Sequence, residues 1–166
     1  VQDGIQRMYG EKQENVFYYI TTLNEVTEQP AMPEGAEDGI RKGLYKFETV
    51  EGKGKGHVQL LGSGAIMRHV REAAQILANG VTSDVFSAPS FNELAREGHD
   101  AARWNLLHPT AEQRVPYVSQ VLADLPTVAS TDYIKSYAEQ IRAFVPTKYY
   151  HVLGTDGFGR SDSRAN

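Results

Sequence analysis

"HVQLLGSGAIMRHVREAAQILANG", residues 57–80, is where the chain settles into strand followed by helix. Residues 57–64 are an apolar strand running out into Gly62 and Gly64. From residue 65, Ile66, Val70, Ala73, Ala74 and Leu77 recur at helical spacing, and Gly80 stands where a C-terminal cap belongs. The alternation then repeats downstream. "SDVFSAPS" (83–90) reads as a strand, and Ser90 with Glu93 forms a capping box that opens a helix to about residue 104. "PTVAST" (126–131) is a third strand, and "DYIKSYAEQIRAFV" (132–145) a helix striped by Ile134, Ala138, Ile141 and Val145. "YYHVLG" (149–154) is a fourth strand. Strands alternating with amphipathic helices predict an α/β fold, a mostly parallel mixed sheet with helices on both faces. The helices are expected near 65–79, 90–104 and 132–145.

Upstream the pattern differs. "NVFYYITTL" (15–23) is rich in β-branched and aromatic residues and reads as a buried strand. "NEVTEQPAMPEGAEDG" (24–39), with its prolines and acidic residues, reads as a linker. "GLYKFETVEG" (43–52) reads as a half-buried strand with Tyr45, Phe47 and Thr49 on one face, and "GKGKG" (52–56) as a flexible basic turn.

Composition excludes several function classes. The chain has 166 residues, 40% hydrophobic and 23% charged, which suits an ordinary globular domain. A net charge of -4 argues against a nucleic-acid binder, and zero cysteines remove disulfides and thiolate chemistry. That absence fits a cytoplasmic protein. No apolar run approaches a membrane span, and "VQDGIQRMYG" (1–10) has no signal-peptide pattern.

The residues show little chemistry by themselves. Gly154, Gly157 and Gly159 invert the order of a dinucleotide fingerprint, and Gly62-Ser63-Gly64 has Met67 in place of its third glycine. "GKGKGH" (52–57) lacks the form of a Walker loop. Tight turns at the edge of a parallel sheet explain these glycines better than a phosphate does. His69 and Glu72, three apart, fit a solvated helix face; His99 fits a helix end and its dipole, and His108 a turn. His57 and His151 have no evident partner, and Ser63 and Ser161 lack the setting of a nucleophile elbow. Trp104 fits a core or interface anchor. No catalytic, cofactor-binding or metal residue can be nominated.

Several stretches together resemble one family. "QPAMPEGAEDGIRKGLYKFETVEG" (29–52), "VQLLGSGAIMRHVREAAQILA" (58–78), "ARWNLLHP" (102–109), "VASTDYIKSYAEQIRAFVP" (128–146) and "VLGTDGFGRSDSR" (152–164) resemble the homodimeric, bacterial-type pyruvate dehydrogenases. More broadly, "LLGSG", "VFSAPSFNEL" and "GTDGFGRS" are similar to the last domain of transketolases.

The resemblance implies residues 1–25 as the end of a pyrimidine-binding domain, 26–42 as a linker, and 43–166 as an incomplete transketolase-like C-terminal domain. It implies a homodimeric oxidoreductase of the pyruvate dehydrogenase complex, at the exit of glycolysis. Such an enzyme passes acetyl from pyruvate to the lipoyl group of a dihydrolipoamide acetyltransferase. Thiamine diphosphate and Mg2+ would bind outside this segment, whose own role would be structural. The Gly-Asp-Gly…Asn motif that holds them is absent here. A transketolase, or a non-catalytic α/β assembly domain, is the alternative. In transketolases a strand like "YYITTLNE" (18–25) ends in an arginine that meets a sugar phosphate. Laying the strands together puts Leu23 there, with Asn24 after it, so both are substrate-proximal candidates beside their plain reading as core and linker.

Overall fold

The computed structural model describes residues 1–22, 26 and 28–157. The chain divides into two compact units, Val1–Met32 and Pro33–Asn166. In the first, helix α1 (Gln2–Tyr9) carries Asp3 in its first turn and Arg7 in its last, both matched to the helix dipole. Arg7 donates to Glu14 (3.0 and 2.7 Å) and to the Tyr18 hydroxyl (3.0 Å), which donates to Asp3 (2.6 Å). Gly4 lies under the Tyr18 ring, where a Cβ would come within 2.9 Å.

The strand expected at 15–23 is not formed over its described residues, 15–22. Residues 16–22 carry no ladder, and Phe17 and Tyr19 are 87% and 85% exposed. Strand propensity expresses itself only against a neighbour that takes up the backbone N–H and C=O groups. Among the described residues none pairs with this segment, and Leu23 lies outside them.

The second unit holds a five-stranded sheet: β1 (Tyr45–Val50), β2 (Gly56–Gly62), β3 (Val81–Ser87), β4 (Thr127–Ile134) and β5 (Tyr150–Thr155), in the order β1-β3-β2-β4-β5. β1 pairs antiparallel with β3, and every other pairing is parallel. This is the mixed, mostly parallel α/β sheet expected. A bulge between Lys46 and Glu48 breaks the predicted single face of Tyr45, Phe47 and Thr49. Glu48 is thereby aimed at Arg71 (2.7 Å), whose guanidinium also lies 4.9 Å from the Phe47 ring centre.

Helix α2 (Glu37–Lys42) falls within the expected linker and stops at Gly43, whose φ of 93° is left-handed. A short 3-10 turn (Gly64–Ile66) leads into α3 (Met67–Leu77). Its cap is Ala78, not Gly80; the Gly80 N–H and the Asn79 side chain instead satisfy the Leu77 and Ile76 carbonyls. In α4 (Phe91–Leu107), Ser90 Oγ accepts from the Glu93 N–H at 3.1 Å. Only half of the expected box forms, because the Glu93 carboxylate pairs with Arg96 and the Ser90 N–H goes to the Gly43 carbonyl. The basic turn 52–56 is braced: a Cβ on Gly52 or Gly54 would meet the 80–81 backbone at 2.1 or 2.0 Å.

The helix expected over 132–145 is corrected. β4 continues through Ile134, which pairs with Thr155, and Lys135 N–H donates to the Thr155 carbonyl. Only Ser136–Glu139 (helix α6) and a 3-10 turn at Arg142–Phe144 are helical. A waiting neighbour strand outweighs helix periodicity here. Ala138, Ile141 and Val145 are buried as the stripe requires, whereas Ile134 is 46% exposed.

Two apolar layers flank the sheet. Leu61, Phe86, Ala129 and Val152 meet α4, α6 and the short helix α5 (Tyr117–Val121), with Phe91, Leu94, Val118 and Ile141 at the centre. On the opposite face Leu60 and Val85 meet Val70 and Ala74 of α3. Buried Gln59 satisfies its amide fully, donating to Thr127 Oγ1 (2.9 Å) and the Ala123 carbonyl (3.0 Å) and accepting from the Ala123 N–H (2.8 Å).

Candidate functional site

In open α/β sheets ligands gather at the carboxyl ends of strands where the crossovers change face. Here that point lies between β2 and β4, since α3 covers one face and α6 the other. Gly62-Ser63-Gly64 forms its floor. The Ser63 N–H donates to the Ser130 carbonyl (3.1 Å), the Ala88 N–H to the Gly62 carbonyl (2.8 Å), and Gly64 has φ 62°. Gly154 approaches β4 so closely that a Cβ would sit 2.7 Å from the Tyr133 carbonyl oxygen. Thr155 Oγ1 then closes the turn onto the Gly157 carbonyl (2.9 Å), and Lys135 holds Asp156 at 2.5 Å. Packing against β4 accounts for Gly154. Gly159 and Ser161 lie outside the described residues.

Beside this edge, on the face that carries α3, runs an apolar groove of ≈ 530 Å³. Leu60, Val70, Ala73, Leu77, Val128 and Leu153 line it, with His69, Ser130 and Thr131 as its polar members. His69 is 3.0 Å from Glu72, the solvated helix pair expected from their spacing.

Three of the other histidines, His57, His99 and His108, have structural partners, whereas His151 is exposed on β5. His57 Nε2 lies 2.9 Å from Asp84 Oδ2, and Asp84 also accepts from Thr49 Oγ1 (2.7 Å) and Lys46 Nζ (2.6 Å). The Asp84 side chain is only 13% exposed. Burial alone would raise its pKa, but the hydrogen bonds from Lys46 and Thr49 outweigh burial and hold the carboxyl below its usual range. This cluster escaped the sequence reading because its members are remote along the chain; an Asp inside an apolar strand was the available signal. His99 is not at a helix end: α4 runs on to Leu107, and the imidazole packs edge-on against Phe144 at 5.1 Å. His108 caps α4, with Nδ1 3.0 Å from the Trp104 carbonyl. Trp104 is half-buried, stacked between His108 (3.7 Å) and the Arg114 guanidinium (3.8 Å).

Leu23 and Asn24 lie outside the described residues. Among the described residues no three His, Cys, Asp or Glu side chains come together as metal ligands. No described helix is long and apolar enough to cross a membrane.

The profile of the transketolase-like TK C-terminal domain family matches residues 43–166. The whole chain is 89% identical over 169 residues to the pyruvate dehydrogenase E1 component of Haemophilus influenzae, and 68% identical over 168 residues to that of Escherichia coli K12. The Pseudomonas aeruginosa E1 component is 55% identical over 99% of the chain. In each case the match spans 19% of the relative's own length.

Proposed function

Because the chain belongs to the family of transketolase-like C-terminal domains, we propose that it is the C-terminal part of a thiamine-dependent pyruvate dehydrogenase. The observation that carries this is 89% identity along the whole chain to an enzyme component of that name. The complete protein would be a cytoplasmic homodimer that decarboxylates pyruvate oxidatively and passes acetyl to the lipoyl arm of a dihydrolipoamide acetyltransferase. Thiamine diphosphate, bound with Mg2+ outside residues 1–166, would supply the electron sink for the carbanion left by carbon dioxide.

Residues 1–25 would finish a pyrimidine-binding domain, 26–42 would link, and 43–166 would form the C-terminal domain. The family match from residue 43 supports the last boundary, and the break between compact units at Met32 and Pro33 is consistent with the linker. This segment's role is then structural, supporting subunit pairing. At its N-terminal side we place Leu23 against phosphorylated substrates and Asn24 at the mouth of the site. An arginine would grip a phosphate with paired charge-assisted hydrogen bonds, and pyruvate has none to grip.

Purification of the natural protein tests this reading. A long chain that, with thiamine diphosphate and Mg2+, converts pyruvate and oxidised lipoamide to acetyl-dihydrolipoamide and carbon dioxide is expected. Ketol transfer between sugar phosphates would instead indicate a transketolase, and a natural product of about this length without either activity would indicate an assembly module.

A further inference from the structure

The turn from α3 into β3 carries the only Asn-Gly pair in the sequence, Asn79-Gly80, and both residues are exposed. An asparagine side chain is open to attack by the backbone nitrogen of the next residue, and glycine there removes the Cβ that would hinder the approach. Two hydrogen bonds restrain the pair. Asn79 Nδ2 donates to the Ile76 carbonyl at 3.4 Å, a long contact, and the Gly80 N–H donates to the Leu77 carbonyl at 2.9 Å. Both lie at a helix end, the part that frays first. The turn has no steric need of its glycine. A Cβ at 80 would meet nothing nearer than the Leu77 carbonyl oxygen at 4.0 Å, and the Gly80 φ is not left-handed. The three Asp-Gly pairs are poorer candidates, because an ionised carboxylate is a weak electrophile. Asp3, Asp38 and Asp156 are also held, by Tyr18, by Arg41 with Lys42, and by Lys135.

We propose that Asn79 is a site of spontaneous deamidation, and that its product loosens the 52–56 turn packed against it. When the helix end opens, the Gly80 nitrogen gives its proton to solvent and bonds to Asn79 Cγ. The Cγ–Nδ2 bond breaks, Nδ2 leaves as ammonia with a proton from water, and a cyclic succinimide remains. Water then splits either imide N–C bond, giving aspartate or isoaspartate; no oxidant or reductant is consumed. Each product disturbs the turn. A carboxylate at 79 cannot donate to the Ile76 carbonyl, and it stands at the negative end of the α3 dipole. Isoaspartate also routes the main chain through Cβ and Cγ, which lengthens it by one atom. There is no slack to take up that atom. The Lys53 N–H donates to the Ala78 carbonyl (3.0 Å), and a Cβ on Gly54 would come within 2.0 Å of the Gly80 carbonyl oxygen.

The test ages the full-length protein in mildly alkaline buffer at physiological temperature. Its tryptic peptide 72–96, bounded by Arg71 and Arg96, is followed by mass spectrometry, with fragment ions that separate Asn79 from Asn92. Conversion to aspartate and isoaspartate is expected at 79, at least tenfold faster than at Asn92, which precedes Glu93. Gly80→Ala, for which the turn has room, should slow it at least tenfold without lowering the unfolding midpoint. Amide hydrogen exchange over 52–56 should quicken in the converted protein and stay unchanged in aged Gly80→Ala. Conversion at 79 no faster than at 92, or no slower in Gly80→Ala, would overturn the site. Conversion in urea-denatured protein with none in the native protein would overturn it too, since the folded chain would then hold Asn79 shut. Unchanged exchange over 52–56 in fully converted protein would overturn the link to that turn.

Discussion

"NVFYYITTL" and "YYHVLG" read alike, both dense in tyrosine and branched apolar residues, yet among the described residues only the second forms a strand. β5 lies against β4 in register from Thr127–Tyr150 onward, with Tyr150 and Val152 buried in the larger core. Residues 16–22 have no such neighbour among the described residues and leave Phe17 and Tyr19 in solvent. The difference lies in the partner, not in the run itself. A strand is a property of a pairing, so one chain can hold a strand sequence that is a strand only in a larger protein.

The hardest way to strain that comparison is to put the same charge into both runs. Val152→Asp would bury an unpaired carboxylate in the core, and we expect a loss of about 4 kcal/mol or more, enough to prevent folding. Tyr19→Asp in the isolated chain should stay within about 0.5 kcal/mol of the parent, as exposed substitutions do. Urea unfolding followed by circular dichroism measures both. If Tyr19→Asp were as damaging as Val152→Asp, the 15–23 run would be paired after all. In the full-length protein, where we infer that the run finds its sheet, Tyr19→Asp should become destabilising.

Next in size is the charge cluster on the β1–β3–β2 side of the sheet. Asp84→Asn leaves Lys46 and His57 without their carboxylate, and we expect a loss of about 1–3 kcal/mol at neutral pH. The Asp84 pKa is depressed in the folded state. Its stabilisation is therefore complete above the unfolded value of about 3.9 and is lost as pH falls through the lower, folded one. Asp84→Asn should lack that portion of the acid slope. Parallel slopes for the two proteins across acid pH would show that the cluster contributes nothing through ionisation.

Local pattern was legible wherever a residue's partner was close in sequence. The strand at 57–64, the helix after it and the Ser90 cap could all be read from spacing. What failed was decided by remote backbone. Ile134 joins a strand because Thr155 lies opposite, and Phe47 is extruded because Glu48 meets Val85. Gly154 looked like a turn residue, and its packing on Tyr133 appears only in three dimensions. The Asp84 cluster was invisible for the same reason. The family, by contrast, was legible from contiguous motifs, and the profile match from residue 43 agrees with it.

A smaller effect is expected at Asn24, which we propose lies at the mouth of the active site of the full-length protein. In the full-length protein Asn24→Ala should raise KM for pyruvate with little change in kcat. A tenfold fall in kcat/KM corresponds to about 1.4 kcal/mol. Unchanged kinetics in a stably folded variant would leave Asn24 as a turn residue and Leu23 as core.

The smallest effect should come from Tyr18, whose hydroxyl has polar partners in its own unit. Its hydroxyl donates to Asp3 and accepts from Arg7, and both contacts are exposed. Exposed charge-linked contacts are typically worth about 0.2–1 kcal/mol, so Tyr18→Phe should loosen α1 without moving the unfolding midpoint of the sheet. The phenol also reports on the contact directly. Burial and the hydrogen bond to Asp3 raise its pKa, and Arg7 opposes them. The alkaline difference spectrum between the wild type and Tyr18→Phe should therefore show one tyrosine titrating above the usual range. Substituting Asp3→Asn as well, with Arg7 left in place, should bring that titration down. If it titrates normally from the start, the Arg7–Tyr18–Asp3 contact does not persist in solution, and the run has no partner in the isolated chain at all.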